Sequence, residues 1–244
     1  MQKYQRSIRE MQERVVERQS ERLCQTASRM ADTVEAGRRI FLFGRGHSHL
    51  LAEEAFYRAG GLAAATPVFS SALMLHEDVH QSSRLERTSG LAAGLLERYH
   101  PAVGEMLFIF SNSGVNQLPV ELALEAKRRG LYVVSVSALE YAKIAPQSGL
   151  GLRLDQAADL ALDNGGIPGD ALLALEGCEW RVGPSSTILG ALLWNCLVVE
   201  CMAVLQSRGV SAENLPVFAS SNMRGAAEHN AALLEEWRKV NPHL

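Results

Sequence analysis

Two short stretches of the chain combine glycine with hydrogen-bond donors. Gly44-Arg45-Gly46-His47-Ser48 follows the apolar run Arg39–Phe43, and Ser111-Asn112-Ser113-Gly114, continuing to Asn116, follows Glu105–Phe110. Glycine lets a backbone approach a ligand closely, while hydroxyls and the free N–H groups of a following helix donate to an anion. A third donor cluster, Ser185-Ser186-Thr187, opens another apolar segment. One such cluster alone reads as helix capping, which Ser and Thr do routinely. Two of them after buried strands read as an anion site. A different chemistry is concentrated in His76-Glu77-Asp78-Val79-His80, with four ionisable groups in five residues. Carboxylates and histidines are the usual proton-transfer groups, and the competing reading is a solvated polar loop. His76 and His80 stand four apart, a spacing that two metal ligands on one helix face can share. Without H-E-x-x-H or a third ligand, the metal-free reading is preferred.

The elements that must position these residues alternate. Residues 2–36 form a helical pattern without Pro or Gly, ended by Gly37, and Ile8, Met11, Val15, Leu23, Ala27, Met30 and Val34 recur mostly at three- and four-residue spacings. Strands are expected at 39–43, 63–69, 105–110, 131–136 and 158–162, and a small hairpin at 171–182. Helices are expected at 48–59, 90–99, 118–129, 185–208 and 226–239, and residues 70–89 read as irregular. Recurrent strand–turn–helix units with continuous apolar strands predict a parallel sheet covered on both faces. The expected fold is a three-layer α/β sandwich with a mostly parallel central sheet, a long N-terminal helix and a C-terminal helical tail. It reads as one domain over 1–244: a helical arm (1–37), an α/β core (38–209) and a tail (210–244).

The bulk properties narrow the function class. The composition is 47% hydrophobic and 21% charged, and a net charge of -3 does not favour nucleic-acid binding. The longest apolar run, Ile188–Leu205, is interrupted by Asn195 and Glu200 and reads as too short to span a membrane. Met1–Glu21 is rich in Arg, Glu and Gln and shows no signal region, so the expected location is cytoplasmic. The cysteines (Cys24, Cys178, Cys196, Cys201) form no C-x-x-C pair and read as small buried hydrophobes in a reducing compartment.

The two turns resemble those of the sugar isomerase (SIS) superfamily, in which G-x-G-x-S ends the first strand and S-x-S-G-x-[ST] ends a later one. Gly44, Gly46 and Ser48 fit the first motif, and Ser111, Ser113 and Gly114 fit the second. The likeness spans Arg39–Leu205, extends to the long preceding helix, and within the superfamily is nearest to phosphoheptose-isomerase-like proteins and to an uncharacterised group of SIS-domain proteins. It implies a flavodoxin-type sheet, no cofactor, a homodimer or homotetramer, and an anionic sugar (phosphate or sulfonate) as ligand. The ligand contacts it implies are Gly44, Arg45, Gly46, His47, Ser48, Ser111, Asn112, Ser113, Gly114, Asn116 and Ser186. A C-terminal segment closes over the sugar in some members, which adds Ser221, Asn222 and His229. Departures exist. Asn116 replaces the third phosphate hydroxyl, Arg58 stands where the isomerases place a glutamate base, and Ser185–Arg208 contains no histidine.

The reaction implied is aldose–ketose isomerisation through an enediol, which needs one base near the C1–C2 edge and an acid to open the ring. Glu77 is the first choice for base, with His76, His80 or His229 as ring opener; Glu53 and Glu54 are the reserves. Glu86 reads as a surface ion pair with Arg84 or Arg87. Glu200 and Asn195, polar within an apolar helix, read as interface or site residues. Two other functions fit the same fold: a non-catalytic phosphosugar sensor, and a lyase like N-acetylmuramic acid 6-phosphate etherase. The lyases use Ser-Gly-x-Thr in the second turn, which Ser113-Gly114-Val115-Asn116 does not satisfy.

Overall fold

The apolar runs that end in the two turns are buried at every position, as strands covered on both faces must be. The computed structural model describes residues 1–146 and 149–244. In chain order, α1 (Gln2–Glu35) leads through β1 (Ile40–Gly44), α2 (His49–Ala55), β2 (Ala65–Pro67), α3 (Val79–Leu85) and α4 (Ala92–Glu97) to β3 (Met106–Phe110). Then come α5 (Gln117–Arg128), β4 (Tyr132–Ser137), α6 (Leu139–Ile144), α7 (Leu154–Ala157) and β5 (Leu160–Asp163). The chain ends with β6 (Ala171–Ala174), β7 (Arg181–Pro184), α8 (Ser186–Ser207) and α9 (Ala226–Trp237).

The five central strands are all parallel, in the order β2-β1-β3-β4-β5. β6 and β7 pair antiparallel with each other, off the main sheet. Side chains alternate between the faces with period two. Ile40, Leu42, Met106 and Phe108 join α1, α2 and α8 in one core. Phe41, Phe43, Leu107 and Ile109 join residues of α4, α5 and α7 in the other. Trp194 of α8 sets its ring edge-on to Phe108 at 5.4 Å between centroids.

The end of the sheet opposite the turns is clamped by a buried ion pair. Arg39 donates to Glu105 through Nε at 2.6 Å and Nη2 at 3.0 Å, and to the Tyr99 and Val240 carbonyls through Nη1. Glu105 also accepts from the backbone N–H groups of Arg39 and Ala102. One pair thus ties the amino ends of β1 and β3 to the residues beyond α9.

Several expectations are corrected. The helix expected at 48–59 ends at Ala55, because Phe56 turns extended and Tyr57 takes φ 41° with its ring packed on Phe218 of the tail. The segment read as irregular contains α3, started by the Asp78 carboxylate, which accepts from the N–H groups of His80 and Gln81. The 22-residue α8 is long and apolar enough to cross a membrane by length and composition, so the exclusion drawn from its polar interruptions does not hold. Leu189, Leu193, Trp194, Leu197, Cys201 and Leu205 of α8 are instead buried in the fold. Of the cysteines, only Cys201 is fully buried, where desolvation pushes its thiol up to about 12; Cys24 and Cys178 are exposed. Glu200 is exposed and, with Asn195, lines an apolar groove of about 360 Å³ between α1 and α8.

Candidate functional site

The strand order reverses direction between β1 and β3, so their carboxyl ends form the crevice where ligands bind in open parallel sheets. Gly44 lies level with Phe110 in the register, which brings the two turns side by side. Gly44 is required there: the turn folds back so tightly that a Cβ would stand 2.0 Å from the Ser48 carbonyl oxygen. Gly114 adopts φ 63°, a left-handed conformation that favours glycine, and a Cβ there would lie 3.1 Å from Ser137 Oγ.

The second turn is held from behind. Ser111 N donates to the Val136 carbonyl, Ala138 N to Asn112, and Leu154 N to Gly114. The Asn112 carboxamide accepts from Asn164 Nδ2 at 3.0 Å, and Asn164 accepts in turn from Gly166 N at 2.9 Å. Asn112 is therefore oriented by the loop after β5. The buried Ser137 Oγ has no partner among the described residues. In front of the turn opens a cavity of about 550 Å³, walled by Ser113, Asn116, Gln117, Tyr141 and Arg87.

The first turn spends its charge internally. Arg45 pairs with Glu86, each side chain only 10% exposed, and its Nη2 donates to Ser82 Oγ at 3.2 Å. Ser82 in turn donates to the Leu73 carbonyl at 2.7 Å, and the Glu86 carbonyl accepts from Leu118 N at the head of α5. Burial lowers the Arg45 pKa, and Glu86 opposes the shift. Glu86 is thus no surface partner of Arg84 or Arg87. Together with Arg45 it staples the connection over residues 73–86 onto both turns. His47 is exposed and Ser48 half-buried on the single 3-10 turn Gly46–Ser48.

The ionisable cluster divides its roles. Asp78 is the helix cap, and the N–H groups of Gln81 and His80 hold its carboxyl below the usual value. His76 and Glu77 are 68% and 55% exposed and face each other at 3.9 Å, and His80 is exposed. Among the reserve carboxylates, Glu53 bonds His49 at 2.9 Å and Glu54 pairs with Arg58, which lies beyond the end of α2. Among the described residues no three His, Cys, Asp or Glu side chains gather as a metal would need.

Four expected contacts are engaged elsewhere in the chain or exposed. The tail is fastened to the segment entering β2 by Gly60 N to Phe218 O and Ala63 N to Pro216 O. His229 Nε2 bonds the Val217 carbonyl at 2.8 Å, and Ser221 and Asn222 are exposed. At the head of α8, Asp170 accepts from the N–H and Oγ of both Ser185 and Ser186, the Ser186 hydroxyl lying at 2.6 Å. A carboxylate of the chain itself therefore sits where an anion would bind this helix. Sequence reading missed Asp170, Asn164, Tyr141 and Arg87. Asp170 lies 15 residues from the serine it caps and carries no local capping signature.

The SIS domain family model matches residues 3–138. A UPF0309 protein of Geobacillus thermodenitrificans is 37% identical over 242 residues, 99% of this chain and 96% of its own. A UPF0309 protein of Brucella anthropi is 39% identical over 219 residues, 90% of this chain and 86% of its own. Among solved structures, phosphoheptose isomerase from Neisseria gonorrhoeae overlays with a TM-score of 0.49 at 16% identity, covering 81% of this chain and 92% of its own. The family model covers more than half of the chain and the UPF0309 relatives extend along nearly all of it, so this protein belongs to the SIS domain family, among its UPF0309 members.

Proposed function

We propose that the protein binds an anionic sugar, a sugar phosphate or a sulfonated sugar, at the paired turns and interconverts its aldose and ketose forms. The observation that carries this reading is the juxtaposition of two donor-rich turns at the point where the strand order reverses, the second of which borders a cavity sized for a sugar phosphate. Ser111, Ser113 and Asn116 supply donors for the anion. The sugar extends from there toward the stapled connection that carries His76 and Glu77. In the reaction a base takes the C2 proton of the open-chain aldose while O1 gains a proton, giving the enediol. Return of a proton to C1, with loss of the O2 proton, yields the ketose. No metal takes part in this reading, and the setting it implies is the cytoplasm.

Ser113→Ala is expected to weaken sugar-phosphate binding by about 1–3 kcal/mol, the usual cost of a lost charge-assisted hydrogen bond. Calorimetry measures this directly. Unchanged affinity in a folded variant would remove the anion from this turn.

The proposal includes a homodimer or homotetramer. Val199 is 66% exposed on α8, beside the groove formed with Val16, Leu23 and Leu192, and an apolar helix face of this kind calls for a partner surface. Light scattering at micromolar concentration should return at least twice 26.6 kDa. The monomer mass would contradict it.

A further inference from the structure

Arg45, the cation placed by sequence within the first turn, is neutralised by Glu86, which leaves the cavity in front of the second turn needing another counter-charge for an anion. Arg87 lies on the wall of that cavity together with Ser113 and Asn116. Its guanidinium donates to one carbonyl, that of Ser83 at 3.1 Å, and among the described residues no carboxylate lies within ion-pair distance. Asp and Glu are absent from the described cavity wall, so its fixed charge is positive.

We propose that Arg87 is the residue that recognises the ligand's tetrahedral oxyanion, forking onto two of its oxygens while Ser113 and Asn116, which line the same cavity, donate to it. This rests on the anion-binding reading of the site and goes further by assigning the charge recognition to α3's exit rather than to the first turn. The geometry suits the residue. Arg presents planar paired donors that match two oxygens of a phosphate or sulfonate, which an ammonium cannot reproduce. Arg87 is exposed on its outer side, so its charge costs little desolvation while the cavity is empty. Glu86, its neighbour in sequence, points to Arg45 and leaves Arg87 free for the ligand.

Calorimetry with glucose 6-phosphate, inorganic phosphate and 6-deoxy-6-sulfoglucose tests this on wild type, Arg87→Gln, Arg87→Lys and Ser113→Ala. Arg87→Gln is expected to lower glucose 6-phosphate affinity about 10–100-fold and to flatten its dependence on ionic strength. Arg87→Lys should recover only part of the loss. A preference for the phosphate over the sulfonate that disappears in Arg87→Gln identifies a dianionic ligand; equal losses for both assign the shared tetrahedral group. If Arg87→Gln stays within twofold of wild type while Ser113→Ala loses binding, the anion site stands and Arg87 is not its recogniser. If neither substitution matters, or wild type binds none of the three probes, the site reading falls and this inference with it. Because Arg87 is exposed and makes a single hydrogen bond among the described residues, unchanged thermal unfolding of Arg87→Gln is expected and separates recognition from folding.

Discussion

Glu105→Ala should lower folding stability by about 3–5 kcal/mol, the cost of leaving a buried charge without its partner. The carboxylate accepts from two guanidinium nitrogens and two backbone N–H groups, and it is the one carboxylate paired with Arg39 among the described residues. The Arg39 guanidinium would remain bonded only to carbonyls, far from water. Urea unfolding should show the loss in the midpoint with little change in slope. A double variant, Arg39→Met with Glu105→Leu, should recover much of it, since apolar residues of similar volume replace a buried pair at little cost. A single-variant loss under about 1 kcal/mol would mean that the clamp is wet and weak. Because the pair lies at the amino ends of β1 and β3, away from the turns, ligand affinity of the folded fraction should not change.

Glu77→Gln is expected to lower kcat by roughly 10²–10⁴-fold, the scale of a lost general base, with the affinity for the anion nearly unchanged. The other candidate carboxylates are already engaged. Glu53 is held by His49, Glu54 by Arg58, Glu86 by Arg45, and Asp78 by backbone N–H groups. Among the described residues Glu77 meets a single cationic partner, His76 at 3.9 Å, and its side chain is 55% exposed. The Arg45–Ser82–Leu73 chain holds its connection down on the first turn. Comparison with Glu53→Gln decides the assignment: if that variant loses turnover and Glu77→Gln does not, the base is on α2.

Much of the scaffold was legible because strand and turn chemistry is local. Apolar runs ending in Gly44–Ser48 and Ser111–Gly114 announce buried parallel strands with a ligand edge, and the 3.6-residue rhythm of Ile8, Met11 and Val15 announces α1. What escaped depends on distant partners. Arg45 meets Glu86, 41 positions away, so a charge that reads as ligand-facing becomes a staple. The end of α2 is decided by Tyr57 packing on Phe218, a tail residue, and not by any breaker at position 56. Ser186 has the sequence of an anion donor, but Asp170 reaches it from a separate loop. Arg87 looks like any surface arginine until the fold gives it a cavity wall.

The claim that the paired turns serve a proton-transfer enzyme is tested most directly by NMR of sugar phosphates incubated with the protein in D₂O. Glucose 6-phosphate and 6-deoxy-6-sulfoglucose, or whichever aldose phosphate calorimetry shows to bind, should lose the C2 proton signal as solvent deuterium enters through the enediol, with the ketose accumulating alongside. Exchange should vanish in Ser113→Ala at subsaturating sugar and in Glu77→Gln even at saturation. A sugar that binds tightly at this site while its C2 proton remains unexchanged would contradict isomerisation and leave a binding protein in its place.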